Sequence, residues 1–385
     1  MNTSSQRVIS HLDLDSFFVS VECLKNSRLK GKPLLIGGKS DRAVVAACSY
    51  EARRFGVHSA MPMKLARRLC PHAMVLQGDI EEYSRYSAMV TEIIREEVPS
   101  FEKASIDEFY IDMSGMEKHF GCSLFTGDLK KKISAETGLP LSFGLAANKL
   151  VSKVATNEAK PNGQLEIPFG AERSFLAPLP VQRMPMIGEK TAHTLKGLGI
   201  RIIRTLAEMP MEMLESVFGK TGIELWRRAN GIDETPVTPY REQKSISTEN
   251  TFESDTIDLQ FLNAQLVKMT QKIAFELRQQ NKLTGTVTVK IRYANFDTVS
   301  RQSSIGYTCS DHQLIPKVKE LFAKLHDRRM LIRLIGVRFT NLIPGNYQID
   351  LFQDSQETVR LYQALDSLNH RYGRFLVMRA SGFNQ

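Results

Sequence analysis

Four acidic residues stand where a folded chain could bring them to one centre. Asp13 and Asp15 are two apart in RVISHLDLDSFF, at the acidic end of an alternating segment, and a regular strand would point both to one face. Asp107 and Glu108 follow far along the chain, in SFEKASIDEFYIDMSG. Neighbours on a regular strand face opposite ways, so these two reach one centre only where the backbone bends, as at a hairpin tip beside the Asp13 strand. Three or four carboxylates meeting would repel unless cations neutralise them, and hard oxygen donors suit Mg²⁺. Two such ions roughly 4 Å apart would clamp the attacking and leaving oxygens of a phosphoryl transfer. D-x-D and D-E are short patterns, and on spacing alone water-facing strand-end and turn acids are the better reading.

Their company changes the balance. Phe17 and Phe18 follow the first acids directly. Tyr50 and Arg53 lie in SYEARRFG, at a strand-to-helix junction where backbone and guanidinium can hold phosphate. Lys149, Lys153 and Lys160 follow LSFGLAA. Lys149 and Lys153 share a helix face; taken separately, each reads as part of a solvated face. One anionic pole and one cationic pole is what a metal–triphosphate substrate requires.

The chain must be large enough to position these groups. Its 385 residues, 42% hydrophobic and 24% charged, predict two to four ordinary globular domains. No run approaches the ~20 apolar residues of a membrane span, and the first residues lack a secretory pattern. The cysteines, Cys23, Cys48, Cys70, Cys122 and Cys309, are scattered without C-x-x-C. That argues against a disulfide scaffold or cysteine zinc site and for a reducing, cytoplasmic setting. Of the net charge of +9, residues 241–345 supply +6 and residues 1–170 only +2. A basic segment on a near-neutral body suits a phosphate-backbone ligand; charge alone serves a solvated basic surface equally well.

Periodicity predicts a strand over 7–14, then a helix from Ser16 to Asn26 with Phe17, Val21 and Leu24 inward. Short strands follow at 33–38 and 43–49, a long amphipathic helix at 79–97, and two strand pieces around a bend at 100–115. A helix over about 118–137, a strand over 141–147 and a helix from Asn148 to about Glu158 come next, closed by the turn Lys160-Pro161-Asn162-Gly163. The mixture without a regular βαβ repeat indicates an α+β fold with an antiparallel or mixed sheet. Residues 171–232 read as short helices and 233–244 as a linker. Residues 245–343 read as β-α-β-β-α-β, followed by a tail over 344–385. Asp79-Ile80-Glu81 reads as an ordinary helix start. MPMIGEKTAHTLKGLG (184–199) resembles a helix-hairpin-helix, whose turn amides hold a DNA phosphate. His11 reads as a buried, hydrogen-bonded residue.

HLDLDSFFVSVE, SYEARRFGVHSAMP, LCPH, SIDEFYID, GLAANKLVSKVATNEAKPNG and the glycine-rich helical hairpin run in consistent order from about residue 8 to 343. Together they resemble the Y-family DNA polymerases of the DinB type. The resemblance implies a multi-domain right hand: palm (1–16 and 78–170), small fingers (17–77), helical thumb (171–232) and little finger (245–343). It implies that Asp13, Asp107 and Glu108 act at the catalytic centre and hold two Mg²⁺ ions with the Leu14 carbonyl, Asp15 not being a principal ligand. Phe18 would be the steric gate against a 2′-hydroxyl, and Tyr50, Arg53 and Lys160 the triphosphate contacts. The little finger would grip the duplex. Primer–template DNA and dNTPs are the implied substrates, low-fidelity translesion synthesis without proofreading the implied activity, and a monomer the implied state.

Gln348-Ile349-Asp350-Leu351-Phe352 resembles the Q-L-x-L-F peptide that bacterial polymerases dock into the sliding clamp (the beta subunit). Gln348, Leu351 and Phe352 would be its anchors; a short edge strand or helix lead-in is the alternative. Val19, Phe109 and Ala147 depart from the family pattern without removing a metal ligand. Two other readings compete. A catalytically dead, clamp-tethered adaptor would need lost carboxylates, and a plain nucleic-acid-binding module leaves the ordered motifs unexplained.

Overall fold

The computed structural model describes residues 7–116, 121–239, 242–345, 356–372, 377 and 379–382. The chain divides into two units, Met1–Arg241 and Glu242–Gln385. The first begins β1 (Ile9–Leu14), α1 (Phe17–Lys25), β2 (Leu34–Gly37), β3 (Val45–Cys48), α2 (Tyr50–Arg53), α3 (Met63–Leu69), β4 (Met74–Leu76) and α4 (Ile80–Glu97). It continues β5 (Phe101–Lys103), β6 (Glu108–Asp112), α5 (Cys122–Thr137), β7 (Leu141–Ala146), α6 (Lys149–Ala159) and β8 (Gln164–Glu166). Five helices end it: α7 (Glu172–Leu176), α8 (Glu189–Gly197), α9 (Ile203–Glu208), α10 (Met211–Phe218) and α11 (Lys220–Ala229). The second unit contains β9 (Ser245–Thr256), α12 (Leu259–Gln279), β10 (Lys282–Tyr293), β11 (Thr298–Thr308), α13 (Asp311–Leu325), β12 (Ile332–Pro344) and α14 (Gln356–Tyr372).

The main sheet of the first unit has the order β5-β6-β1-β7-β8. It is antiparallel apart from the parallel β7–β8 pair, the mixed sheet that the irregular element order allowed. Every residue of the central strand β1 is buried, because helices cover both faces. Leu12 and Leu14 share a core with Val90 and Ile94 of α4 and with Leu129 and Ile133 of α5. The alternate residues His11 and Asp13 face α6 and the turn that follows it: His11 Nδ1 lies 2.8 Å from Thr156 Oγ1, and Asp13 meets Lys160. A side chain at Gly144 of β7 would put its Cβ 2.3 Å from the Ser152 carbonyl oxygen and 2.5 Å from the Thr156 nitrogen. Glycine there is what lets α6 lie directly on the sheet.

The other side of α6 carries Leu150, Val151, Val154 and Ala155 into a core shared with Leu176, Leu195, Ile203, Leu206 and Leu225 of the short helices. A smaller sheet, β3-β2-β4, packs Leu35 and Val45 against Met63 and Ala66 of α3. Asp79 caps α4, its side chain accepting from the Glu82 amide at 3.2 Å, as the sequence indicated. The segment read as a linker is only partly free-running. Asp233 accepts from the Leu150 amide at 3.0 Å and Arg7 donates to the Asp233 and Thr235 carbonyls. The Thr238 amide donates to Glu102 at 2.8 Å. Its first half is therefore fastened to the first unit.

The second unit has the predicted β-α-β-β-α-β order and the sheet order β11-β10-β12-β9. Val287, Val289 and Ile291 of β10, paired with Phe339, Val337 and Ile335 of β12, share a core with Leu266, Ile273, Leu314 and Phe322 of α12 and α13. The alternate residues Thr286, Thr288, Lys290 and Arg292 are more exposed, so one face is apolar and covered while the other is polar and basic.

Candidate active site

The bend required between Asp107 and Glu108 is built by Ser105. Its hydroxyl oxygen accepts from the Asp107 and Glu108 amides at 3.2 and 3.0 Å, and the hydroxyl donates to Asp107 Oδ1 at 2.6 Å. Such a serine turn offers the backbone an alternative to the strand ladder. The tip is closed by Ala104 N–H donating to the Glu108 carbonyl at 3.0 Å, and Leu14 N–H reaches the Asp107 carbonyl at 3.0 Å. Asp13 and Glu108 are directly opposed on β1 and β6. The acid pair and the first acid therefore meet at one end of the sheet.

Asp13, Leu14, Phe18, Arg53, Asp107 and Lys160 line a single cleft. Lys160 Nζ is 2.6 Å from Asp13 Oδ2. Burial pushes the Asp13 carboxyl up to about 7 against the opposing Lys160, and the nearby Glu108 and Asp107 add to the rise. Glu108 stands beside the cleft and turns to Lys153, whose Nζ lies 2.8 and 2.6 Å from its two oxygens. Burial alone would raise Glu108; the Lys153 ammonium, in contact with both its oxygens, opposes this and the carboxyl is held below its ordinary value. His11 is fully buried, and burial pulls its imidazole down to about 4, so it is neutral at pH 7. Its Nε2 is 4.0 Å from Glu108 Oε2, beyond hydrogen-bonding distance; the hydrogen bond it makes is the one to Thr156.

Two expectations are corrected here. Lys149 and Lys153 do not form a solvated face. Lys149 is 7% exposed and bonds Glu102 at 2.7 Å, and Lys153 holds Glu108. With Thr156 they form the stripe of α6 that lies over the polar side of β1 and β6. Asp15 does not share the face of Asp13, because β1 ends at Leu14 and Ser16 takes a left-handed conformation, φ 43°. Strand alternation stops there, and Asp15 turns into a neighbouring cavity lined also by Tyr50 and Asn162. Tyr50 therefore lies outside the acidic cleft. Its ring instead carries the Arg53 guanidinium, 4.9 Å from the ring centroid.

Phe18 stacks on Tyr83 of α4, centroids 4.3 Å apart and planes at 13°, and Tyr83 Oη donates to Glu22 at 2.8 Å. The Phe18 ring thus has a rigid backing. The sequence does not mark Tyr83, Ser105 or Ser142, whose hydroxyl donates to Asp15; an aromatic in a helix stripe and a serine in a turn or strand carry no distinctive signal. Gln348, Leu351 and Phe352 lie outside the described residues. In the helical region Gly188 starts α8, and Gly199, φ 80°, follows it in the turn before α9.

Among the described residues, no three His, Cys, Asp or Glu side chains already converge as a metal cage. Asp13 and Asp107 nevertheless supply hard oxygens to one cleft, and burial and acid–acid repulsion hold Asp13 high. A divalent cation would offset both, so the donor set fits such an ion.

Three family models match the chain. The model of the impB/mucB/samB family matches residues 12–157 and that of its C-terminal domain residues 243–351. A third, described as the DNA polymerase-iota thumb domain, matches 182–233. The chain belongs to the Y family of DNA polymerases. It is 40% identical over 96% of both chains to DNA polymerase IV of Dehalococcoides mccartyi strain BAV1. It is 34% identical to DNA polymerase IV of Desulfatibacillum aliphaticivorans, over 96% of this chain and 95% of the other. A solved Y-family DNA polymerase chimera superposes with a TM-score of 0.77 at 26% identity, covering 88% of this chain and 100% of the other. The fold is accordingly that of a right-hand polymerase, with palm, small fingers, helical thumb and a βαββαβ little finger. The protein is a DNA-directed DNA polymerase of the translesion type, and polymerases of this family use divalent metal ions. Among the described residues no helix is long and apolar enough to cross a membrane.

Proposed function

We propose that this polymerase extends a primer on damaged templates with low fidelity and without proofreading, in DNA repair and damage tolerance. Asp13, Asp107 and Glu108 are the acidic catalytic residues, with the Leu14 carbonyl completing the oxygen set. Two Mg²⁺ ions held by these groups would lower the pKa of the primer 3′-hydroxyl and neutralise charge on the dNTP triphosphate. The 3′-oxygen forms a bond to the α-phosphorus as the α–β phosphoanhydride bond breaks, and pyrophosphate leaves with the electron pair. Arg53 and Lys160 offset charge on the departing oxygens, and Tyr50 supports them. Phe18 excludes a 2′-hydroxyl, its ring braced by Tyr83. The observation that carries this reading is the meeting of Asp13, Asp107, Arg53, Lys160 and Phe18 in one cleft.

The boundaries of palm (1–16 and 78–170), fingers (17–77), thumb (171–232), linker (233–244) and little finger (245–343) are proposed as read from the sequence. Fingers this short can check little of the nascent pair's geometry, which supports low fidelity. The enzyme is read as a cytoplasmic monomer that docks a sliding clamp through Gln348, Leu351 and Phe352. Primer extension with dNTPs and Mg²⁺, with and without EDTA, tests the central claim. Extension that persists in EDTA, or error rates of a replicative enzyme, would reject it.

A further inference from the structure

Asp15 has none of the roles above, yet it is 1% exposed and heavily bonded. Tyr50 Oη donates to its Oδ1 at 3.1 Å. Ser142 Oγ and the Asn162 amide reach its Oδ2 at 2.9 and 2.7 Å. Its own amide donates to the Pro140 carbonyl at 2.9 Å, and its carbonyl accepts from Ser20 Oγ at 2.7 Å. A buried carboxylate with this many donors is held in one orientation, and hydrogen bonds to a charged acceptor are the strong ones. Unlike Asp13 and Asp107, it does not line the cleft.

Its partners come from separate stretches of chain, and two of those stretches carry the cations of the cleft. Tyr50 is the aromatic platform of Arg53. Asn162, at φ 50°, belongs to the turn that begins with Lys160. That turn is held a second time, because the Gly163 amide donates to Ser142 Oγ at 3.2 Å. One carboxylate thus ties the Arg53 arm, from the α2 side, to the Lys160 arm, from the end of α6.

We propose that Asp15 is a positioning residue for the triphosphate: it sets the separation of Arg53 and Lys160, and so the length and charge of phosphate chain they grip. The proposal rests on the triphosphate roles given to those two residues above. Replacing Asp15 by Asn removes the charge and leaves one acceptor oxygen where two stood, so an NH2 group faces either the Tyr50 hydroxyl or the Asn162 N–H. The arms then lose their common anchor while the acids of the cleft keep their own partners.

The test measures single-nucleotide addition and competitive inhibition by inorganic tripolyphosphate for the wild type, Asp15→Asn, Tyr50→Phe, their double variant, Arg53→Ala and Lys160→Ala. Asp15→Asn should raise KM for dNTP and Ki for tripolyphosphate in parallel, on the order of tenfold, the size of one charge-assisted hydrogen bond. Its kcat should fall less, and half-saturation by Mg²⁺ should stay unchanged. Tyr50→Phe should move the same two constants by a smaller factor and add nothing in the Asp15→Asn background. An unchanged Ki, a shifted Mg²⁺ half-saturation, or full additivity of the two substitutions overturns the proposal. Should Asp15→Asn fail to fold, Tyr50→Phe and Ser142→Ala carry the same readouts. If Arg53→Ala and Lys160→Ala leave Ki unmoved, the triphosphate assignment falls and this proposal with it. If they raise Ki while Asp15→Asn and Tyr50→Phe do not, only the role of Asp15 is rejected.

Discussion

In the first unit Lys160 meets Asp13 and Lys153 meets Glu108 beside an open cleft. In the second, Arg278 is enclosed by Asp366, Asp311, the Cys309 carbonyl and the Tyr362 ring. Its Nε and one terminal nitrogen bond Asp366 at 2.7 and 2.9 Å. The other nitrogen bonds Asp311 at 2.8 Å and the Cys309 carbonyl at 3.0 Å. Tyr362 lies over the guanidinium, 4.9 Å from its carbon. Burial would pull Arg278 down, but Asp366 and Asp311 outweigh it and raise it further. Both regions bury charge, with opposite consequences. A planar guanidinium saturated by fixed acceptors is a fastening, here of α14 onto α12 and α13. A lysine is a point charge on a flexible stem, and Lys160 and Lys153 side chains keep 19% and 28% exposure. Their acids can exchange partners when a substrate enters.

The largest expected effect that could break this contrast is at Asp107. Asp107→Ala should lower kcat for primer extension by about 10³-fold or more and leave the melting temperature nearly unchanged; near-normal extension would remove the acid from the site. Arg278→Ala should do the reverse. It leaves Asp311 and Asp366 unpaired in the interior and should cost roughly 3 kcal/mol in denaturant unfolding, with KM for dNTP unaltered. A loss of nucleotide affinity without loss of stability would mean the clasp is functional after all. Phe18→Ala should raise ribonucleotide incorporation by roughly 10- to 100-fold, the removal of about 1–3 kcal/mol of steric clash, measured as the ratio of kcat/KM for rNTP and dNTP. Tyr83→Leu should act in the same direction more weakly, and an unchanged sugar ratio in both would show that the ring is not a gate. The smallest effect on unaided synthesis belongs to Leu351→Ala with Phe352→Ala. Clamp-stimulated extension should disappear while distributive extension persists; stimulation that survives would place the clamp contact elsewhere.

Much of the molecule was legible because local rules and tertiary structure agree. The second unit reads as β-α-β-β-α-β because strand alternation and helical stripes are long and cleanly separated there. The need for a bend at Asp107 and Glu108 also followed from alternation, and the Ser105 turn supplies it. The failures share a cause. Lys149 and Lys153 look solvated because paired lysines on one helix face usually are; only the packing of α6 across the sheet makes them partners of Glu102 on β5 and Glu108 on β6, Lys149 buried and Lys153 half-buried. Alternation alone puts Asp15 on the face of Asp13, because nothing local announces that the strand stops at Leu14. The linker composition of residues 233–239 concealed anchors supplied by Arg7, Glu102 and the Leu150 amide.

By itself the sequence determined the element types, the acidic and cationic residues available for chemistry, and the order of motifs that marks the polymerase family. Each depends on neighbours along the chain, where spacing translates directly into direction. Tertiary structure alone decided which lysine faces which acid, that Gly144 admits α6 against the sheet, and that Asp15 joins two cationic arms instead of serving the cleft. Those outcomes depend on strand register and helix placement between residues far apart in sequence, and a side chain's partner there is set by what the fold leaves within hydrogen-bonding distance.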